Sequence, residues 1–271
     1  DQTYPYEILP AETKTVKEIC ENKSEISKKI ILSKKPIIVI GNSILNLKSG
    51  KFIFENLKKF LIENNKVTES WNPLNVLQLN ASSVGGLDLK LICGEENITL
   101  KQLQENFFDI IFLIGQDNLK FKKKKEYVVY IGSHGDRGAE VSDLILPGAA
   151  YTEQDGHYTN LEGKIQKAYR ASFPPGEAKE DFQIINELSE LLKRKKLFRD
   201  KSDLTDKLFN YLDLNQKKSN FNETLLVDFV DEEIQVNQID YYYSNVIARA
   251  SKTMSECRNI KINIKRTGTE G

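Results

Sequence analysis

Apolar residues in this chain fall into short continuous runs, separated by longer stretches in which they recur every three or four positions. Pro36-Ile37-Ile38-Val39-Ile40-Gly41 is the first run, β-branched and closed by glycine, and it predicts a strand covered on both faces of a parallel sheet. After Gly50, the residues Phe52, Ile53, Leu57, Phe60 and Leu61 return at helical spacing, with Lys58, Lys59 and Glu63 on the opposite side, which predicts a crossover helix. Val76-Leu77-Gln78-Leu79 predicts a weaker second strand, Ser82 to Leu89 a loop or short helix around Gly85-Gly86, and Leu100, Leu103 and Phe107 another short helix. The runs from Ile110 to Gly115 and from Tyr127 to Gly132 predict two further strands. Strands that end in glycine and alternate with helices define an α/β fold with a doubly wound, mostly parallel sheet. Its ligand crevice lies beyond the carboxyl ends of the strands, so the loops after Gly41, Gly115 and Gly132 are expected at one edge.

The flanking patterns are different. Residues 1–35 open with Tyr4-Pro5-Tyr6 and Leu9-Pro10, then give a polar helical pattern through Val16, Ile19 and Ile26, and read as a docked N-terminal arm. Asp143 to Gly148 predicts a short strand stopped by proline, with its aspartate bonded to the preceding turn. Thr152 to Gln166 alternates in a hairpin-like way around Gly156 and Gly163. Glu177 to Lys195 carries acids in its first turn and basic residues at its end, which predicts a helix. From Leu197 onward come amphipathic pieces, Leu204 to Leu212 and the acidic Val227 to Glu233, set among polar clusters. The expected division is therefore an arm at 1–35, an α/β domain at 36–195, and an extended C-terminal tail at 196–271 that docks on a partner surface.

Composition narrows the function classes. Lys plus Arg and Asp plus Glu number 39 each in 271 residues, so no global field favours nucleic acid or an anionic membrane. A near-neutral chain is better suited to a place within a larger assembly. Lys122 to Lys125 reads as a solvated loop rather than a phosphate or nucleic-acid patch. The three cysteines, Cys20, Cys93 and Cys257, are too scattered for a disulfide framework or a metal knuckle, and each reads as a buried small thiol. No apolar run approaches the roughly 20 residues of a membrane span. The chain opens Asp1-Gln2-Thr3, with neither methionine nor a secretory pattern, which leaves a processed form and a partial sequence both open.

Glycine, proline, acids and both histidines crowd between Ile131 and Gly176, the composition of backbone-shaped loops at a sheet mouth. Three residues there, His134, Asp155 and Lys164, are the candidates for a crevice. Ser133, His134 and Asp136 do not make a triad, because neighbours in sequence diverge in direction and no G-x-S-x-G elbow is present, so His134 is expected to bond within its own turn. His157 with Asp155, Glu153 and Glu162 has the ligand types of a metal site, but hairpin alternation sends adjacent acids to opposite faces. Gly41-Asn42-Ser43 follows a strand without G-x-G-x-x-G spacing, which makes a nucleotide site the weakest reading.

Several blocks together carry a resemblance: Gly132-x-His134-Gly135-Asp136; Asp143 through Pro147-Gly148-Ala149-Ala150-Tyr151-Thr152-Glu153; Tyr158-Thr159-Asn160-x-Glu162-Gly163-Lys164-x-Gln166; and Pro174-Pro175-Gly176-x-Ala178-x-x-Asp181-Phe182-x-Ile184-Ile185. They are similar to the molybdopterin oxidoreductase fold family, and more narrowly to the large iron-sulfur subunits of respiratory complex I. Ile247-Ala248-Arg249-Ala250-Ser251-Lys252-Thr253-Met254 resembles the mitochondrial-type C-terminus of those subunits. The resemblance implies a structural, non-catalytic part of the peripheral, NADH-oxidising arm, on the matrix side of the mitochondrial inner membrane and without a membrane span of its own. It implies no cofactor on this chain, with the iron-sulfur clusters carried by an N-terminal half supplied as a separate partner, and contacts to other peripheral-arm subunits. One departure is that Lys164 stands where the family usually has arginine after Glu162-Gly163, so any anion contact there lacks a bidentate fork. The alternative implied by the same resemblance is a molybdopterin-dependent oxidoreductase fragment using the crevice near His134, Asp155 and Lys164.

Overall fold

The computed structural model describes residues 6–91, 102–103, 105, 107–119, 122–215, 224–235 and 240–263. They fall into two compact units, one within 1–83 and 217–238, the other within 84–216 and 239–270. This division cuts across the expected domain at 36–195 and shares the expected tail between both units.

The first unit contains α1 (Thr13–Cys20), α2 (Glu25–Leu32), β1 (Ile38–Gly41), α3 (Asn42–Leu45), α4 (Gly50–Glu63) and β2 (Leu74–Leu77). β1 and β2 pair in parallel, Ile38 opposite Leu74 and Gly41 opposite Leu77, with α4 as the connection between them. The helical stripe read in the sequence is the one that packs: Ile53, Leu57, Phe60 and Leu61 are buried with Ile40 and Leu74. Each such side chain contributes roughly 1.5–3 kcal/mol through burial.

Two expectations fail here. β1 is covered on one face only, since Ile40 is 5% exposed while Val39 is 51% and Ile37 62%. The buried cluster gathers on the Ile40 side of this two-stranded ladder. Lys58 is not on the solvent side of α4 but 8% exposed, with Nζ 3.0 Å from Glu55 Oε2. Burial alone would raise the Glu55 pKa, but hydrogen bonds from the Leu225 amide and from Lys58 outweigh it and hold the carboxyl below its usual range.

That Leu225 contact belongs to the largest departure. Residues 224–235, expected to wait for a partner, lie along α1 and the start of α4 of their own chain. Ile234 N donates to Ala11 O at 2.7 Å, Thr13 N to Glu232 O at 3.0 Å, and Glu12 and Glu233 form an antiparallel bridge. Thr13 Oγ1 donates to Val230 O and accepts from Glu232 N, both at 3.0 Å. Ser49 Oγ accepts from Val230 N at 2.9 Å and also bonds Val230 O, while Ser49 N donates to Glu232 Oε1 at 2.7 Å. Thr13 and Ser49 are fully buried. Phe229 adds a ring contact to Phe52, with centroids 5.0 Å apart, under the Lys17 ammonium.

The second unit opens with α5 (Ser83–Asp88) and is built on β3 (Ile110–Ile114), β4 (Tyr127–Gly132) and β5 (Leu144–Pro147), all parallel with β4 in the centre. Ile111, Leu113, Val128 and Tyr130 form its core, capped by Leu103, Phe108, Leu119, Ala139 and Val141. Four consecutive residues of β4, Val128 to Ile131, are buried, as its continuous apolar run requires. β6 (Gly156–Thr159) and β7 (Ile165–Ala168) form the expected hairpin, its turn closed by Gly163 at φ +79°. The α/β class and the parallel pairing stand, with the described strands arranged in three sheets rather than one. Most of the helix expected around Leu100 and Phe107 lies outside the described residues.

After the short α6 (Arg137–Glu140) and the hairpin come α7 (Asp181–Leu191) and α8 (Lys201–Asn215). α7 starts later than its pattern predicts, because Lys179 still bridges to Gly148 beside β5. A capping box between Glu180 and Gln183 then opens the helix. The buried Asn186 accepts from Leu197 N and Phe198 N, both at 3.0 Å, and turns the chain into α8. Beyond lie a 3-10 turn at Tyr241–Tyr243, α9 (Val246–Ala250) and α10 (Lys252–Asn263). Of the thiols, Cys20 packs against the first core, and burial pushes it up to about 12. Cys257 is exposed, against expectation, and Cys93 lies outside the described residues.

Removing the Ser49 hydroxyl leaves the Val230 amide without its partner, while the Val230 carbonyl keeps Thr13 Oγ1. Ser49→Ala is expected to lower stability by about 1–3 kcal/mol, read as a shifted urea midpoint with an unchanged m-value. In α8, the Arg199 amide and then Lys207 pull the Asp203 carboxyl from 3.8 to about 2. A depressed carboxyl stabilises the fold above its unfolded pKa, and that contribution is lost as pH falls towards the folded value. Asp203→Asn should therefore lower stability at neutral pH and flatten its decline between pH 4 and 2, measured by urea titration at each pH.

Candidate functional site

The carboxyl end of β4 gathers the polar groups of the second unit. Strand alternation points Tyr130 to the same side as Val128, into the core beneath α6. A buried phenol needs an acceptor, and Tyr130 Oη is shared between Asp117 Oδ1 at 2.5 Å and His134 O at 3.0 Å. Burial first, then the hydrogen bond and charge of Asp117, raise the Tyr130 pKa above the usual phenol range. The loops after β3 and β4 are joined again by Gly138 N donating to Asp117 O at 3.2 Å and by Arg137 Nη1 donating to Asn118 Oδ1 at 3.2 Å.

Asp136 caps α6 by accepting from Arg137 N at 2.9 Å. Its other oxygen takes Nε of Arg249 at 2.5 Å, and both side chains are about one-fifth exposed. Arg249 also donates to Tyr243 O at 3.4 Å. The segment carrying it closes on itself through Arg258 Nε, 2.5 Å from Asp240 Oδ2, with the guanidinium 4.7 Å from the Tyr243 ring.

The three candidates from the sequence are placed separately. His134 Nδ1 lies 2.9 Å from Ser133 Oγ, within its own turn. Asp155 Oδ1 accepts from Arg170 N at 2.7 Å across the base of the hairpin, and this bond chiefly lowers its pKa. Lys164 sits in the hairpin turn, its amide donating to Asn160 Oδ1 at 2.9 Å. Among the described residues, no hydrogen bond or ion pair joins any two of them. His157 packs its ring edge-on to Phe209, centroids 5.4 Å apart, and Glu153 accepts from Ala150 N. No group of three or more potential metal ligands occurs among the described residues. Asp143 bonds Val128 N at 2.8 Å in the adjacent strand and pairs with Lys123, rather than holding the preceding turn.

Sequence reasoning missed Tyr130, Asp117 and Arg249. Tyr130 read as one more apolar strand residue; the usable signal was its place two residues before a glycine, where a large ring needs room. A Cβ on Gly132 would collide with the Tyr130 hydroxyl, and one on Gly138 would lie 2.6 Å from Gln116 O and 2.8 Å from the Tyr130 ring. The glycines of this loop therefore make room for the protein's own phenol. Molybdopterin carries an anionic phosphate, and these residues do not suit it. The space behind the glycines is filled, two carboxylates stand in the cluster, and the guanidinium that reaches the loop is already bound to Asp136.

Parallel pairing of β1 with β2, and of β4 with β3 and β5, with helices between the strands, defines the α/β class of the chain. The molybdopterin oxidoreductase pattern matches residues 1–191, and the chain belongs to this family. A second pattern, describing the C-terminal region of the NADH-ubiquinone oxidoreductase G subunits, matches residues 214–257. The chain is 35% identical to the NADH-ubiquinone oxidoreductase 75 kDa subunit of Reclinomonas americana, over 95% of this chain and 39% of that protein. It is 33% identical to the NADH-quinone oxidoreductase G subunit of Rickettsia bellii, over 96% of this chain and 38% of that protein. It is 30% identical to the mitochondrial NADH-ubiquinone oxidoreductase 78 kDa subunit of Neurospora crassa, over 96% and 37%. The chain thus spans less than two-fifths of the length of these relatives, and the resemblance read from the sequence blocks holds.

Gly132→Ala is expected to cost about 1–3 kcal/mol by overpacking against Tyr130. Adding Tyr130→Leu should make the pair less destabilising than the sum of the two single changes, because the clash disappears. Thermal unfolding of the four proteins in the cycle measures this.

Proposed function

We propose that this chain is a non-catalytic structural component of respiratory complex I, in its peripheral, NADH-oxidising arm. The observation that carries the reading is the self-filled loop. Tyr130 fills the space behind Gly132 and Gly138, and Arg249 neutralises Asp136, so the residues at the strand ends serve each other rather than a substrate. The relatives named as NADH-ubiquinone and NADH-quinone oxidoreductase subunits supply the assembly. In this reading the chain binds no cofactor of its own. It supports the iron-sulfur-bearing half of the subunit as a separate partner, while electrons pass from NADH to ubiquinone through other parts of the complex. Its place is the matrix side of the mitochondrial inner membrane, a location supported by the mitochondrial relative from Neurospora crassa. No helix among the described residues is long and apolar enough to cross a membrane.

Native electrophoresis of detergent-solubilised membranes tests the assembly. The chain should migrate with NADH dehydrogenase activity and with an iron-containing polypeptide; migration as a free monomer away from that activity rejects the reading. Metal analysis of the purified chain tests the non-catalytic role, with no stoichiometric molybdenum or tungsten expected. Finding either metal at one equivalent would establish a molybdopterin-dependent oxidoreductase fragment instead.

A further inference from the structure

The β6–β7 hairpin of the second unit is open along one edge. On the β6 side, Thr159 is buried where a Cβ on Gly85 of α5 would meet its hydroxyl at 3.4 Å, and the His157 ring lies edge-on to Phe209 of α8. Among the described residues, β7 pairs with β6 alone. Asn160 N donates to Lys164 O at 3.0 Å at the head of the ladder, with Tyr158 opposite Gln166 and Gly156 opposite Ala168. Bonded and unbonded positions alternate in an antiparallel pair, so the amides and carbonyls of Gln166 and Ala168 face β6 while those of Ile165 and Lys167 face outward.

The side chains along this edge are charged and aromatic. Between Leu161 and Phe173 the chain carries Lys164, Lys167 and Arg170 against one carboxylate, Glu162. Tyr169 and Phe173 are 75% and 73% exposed, with the Lys167 and Arg170 cations 4.8 and 4.1 Å from their ring centroids. None of the three cations is ion-paired among the described residues. Asp155, just before β6, accepts from the Arg170 amide at 2.7 Å and feels the Lys167 and Arg170 charges only at longer range.

We propose that the outer edge of β7 is an interaction surface for an extended, acidic segment of a partner protein, which adds to the hairpin as a third strand. The outward amides and carbonyls of Ile165 and Lys167 supply the backbone bonds. Alternation sets Lys164 and Lys167 on opposite faces of β7, so carboxylates on either face of the added strand meet a cation. The exposed rings of Tyr169 and Phe173 extend the contact past the strand end. A helix does not answer this row of backbone groups, because its own amides and carbonyls are already paired. A second copy of this chain is disfavoured, since edge-to-edge pairing would bring the lysines of two β7 strands together. An acidic strand meets neither obstacle. The inference does not depend on the assembly proposed above.

The probe is a synthetic peptide, Val-Glu-Glu-Val-Glu-Glu-Val with blocked ends and a fluorescent label, titrated with the intact chain at low salt and followed by anisotropy. Amide hydrogen exchange of the chain at saturation supplies the second readout. Binding is expected, with exchange slowed roughly tenfold or more at Ile165 and Lys167, and less at Gln166 and Ala168, whose amides β6 already protects. Lys164→Glu combined with Lys167→Glu should weaken binding at least about tenfold, because like charges then face each other. Salt at about 0.5 M should weaken it in the unmodified chain. The same peptide N-methylated at every residue keeps its charge but loses its donors, and should not bind. That arm requires no change in the protein, so the backbone role is tested even if the charge-reversed variant does not fold. The proposal is overturned by no binding up to about 1 mM, or by equal binding of the N-methylated peptide or of one with lysine in place of glutamate. Tighter binding of an oligouridylate, without slowed exchange at Ile165 and Lys167, would also overturn it and assign the patch to nucleic acid.

Discussion

An extended segment has no helix or sheet of its own to satisfy its amides and carbonyls, and in the first unit two buried hydroxyls take on that task. Thr13 and Ser49 sit at the starts of α1 and α4, where the hydroxyl of each meets the backbone of residues 230–232. Their burial is tolerable only because every hydroxyl has its partner. The Leu225 amide makes the same use of Glu55, which in turn lets Lys58 lie beneath the surface. A polar network thus covers a face of α4 that periodicity assigned to water, and the segment adds to a core built from α4 and the two short strands, with residues of α1, α2 and α3 packed against it.

The second unit meets an analogous demand with a phenol. Tyr130 is large, buried and polar, and the loops after β3 and β4 are shaped around it: Gly132 and Gly138 leave the room, Asp117 and the His134 carbonyl accept the proton. A glycine-rich loop at the carboxyl end of a parallel strand is the usual place for a bound anion. Here the same glycines accommodate an aromatic ring. Under the proposed function, this is how a loop with the composition of a cofactor site serves as a structural element.

Much of the fold was legible in the amino-acid pattern, for a definite reason. β4 and α4 bury long, regular stripes, so their periodicity carries their position, and the β6–β7 hairpin is fixed locally by Gly163 and Asn160. What could not be read depended on distant contacts. Lys58 looks like a surface lysine until Glu55 and Leu225 are placed beside it, and Val39 looks buried until the sheet proves narrow. Residues 224–235 have the composition of an unsatisfied tail because the hydroxyls that satisfy them lie near positions 13 and 49. The candidate site fared worse for the same reason. His134, Asp155 and Lys164 stood out by residue type, whereas the cluster that formed, Asp117, Tyr130, Asp136 and Arg249, is assembled from a loop, a strand, a cap and a helix. Only Asp136 and Arg249 lay within blocks that the resemblance had marked.

The sequence separation of these contacts also has a biosynthetic side. The bonds from Thr13 and Ser49 to Val230 span 217 and 181 residues. On a ribosome, α1, α4 and both strands of the first unit emerge well before the stretch that covers them, while every strand of the second unit is made in the interval. Loop closure over such a distance is slow relative to local helix formation. The nascent first unit must therefore wait with polar groups and apolar rings uncovered, a state that favours capture by chaperones or early association with other chains. Completion of the first unit then becomes a late event, timed by the synthesis of residues 224–235.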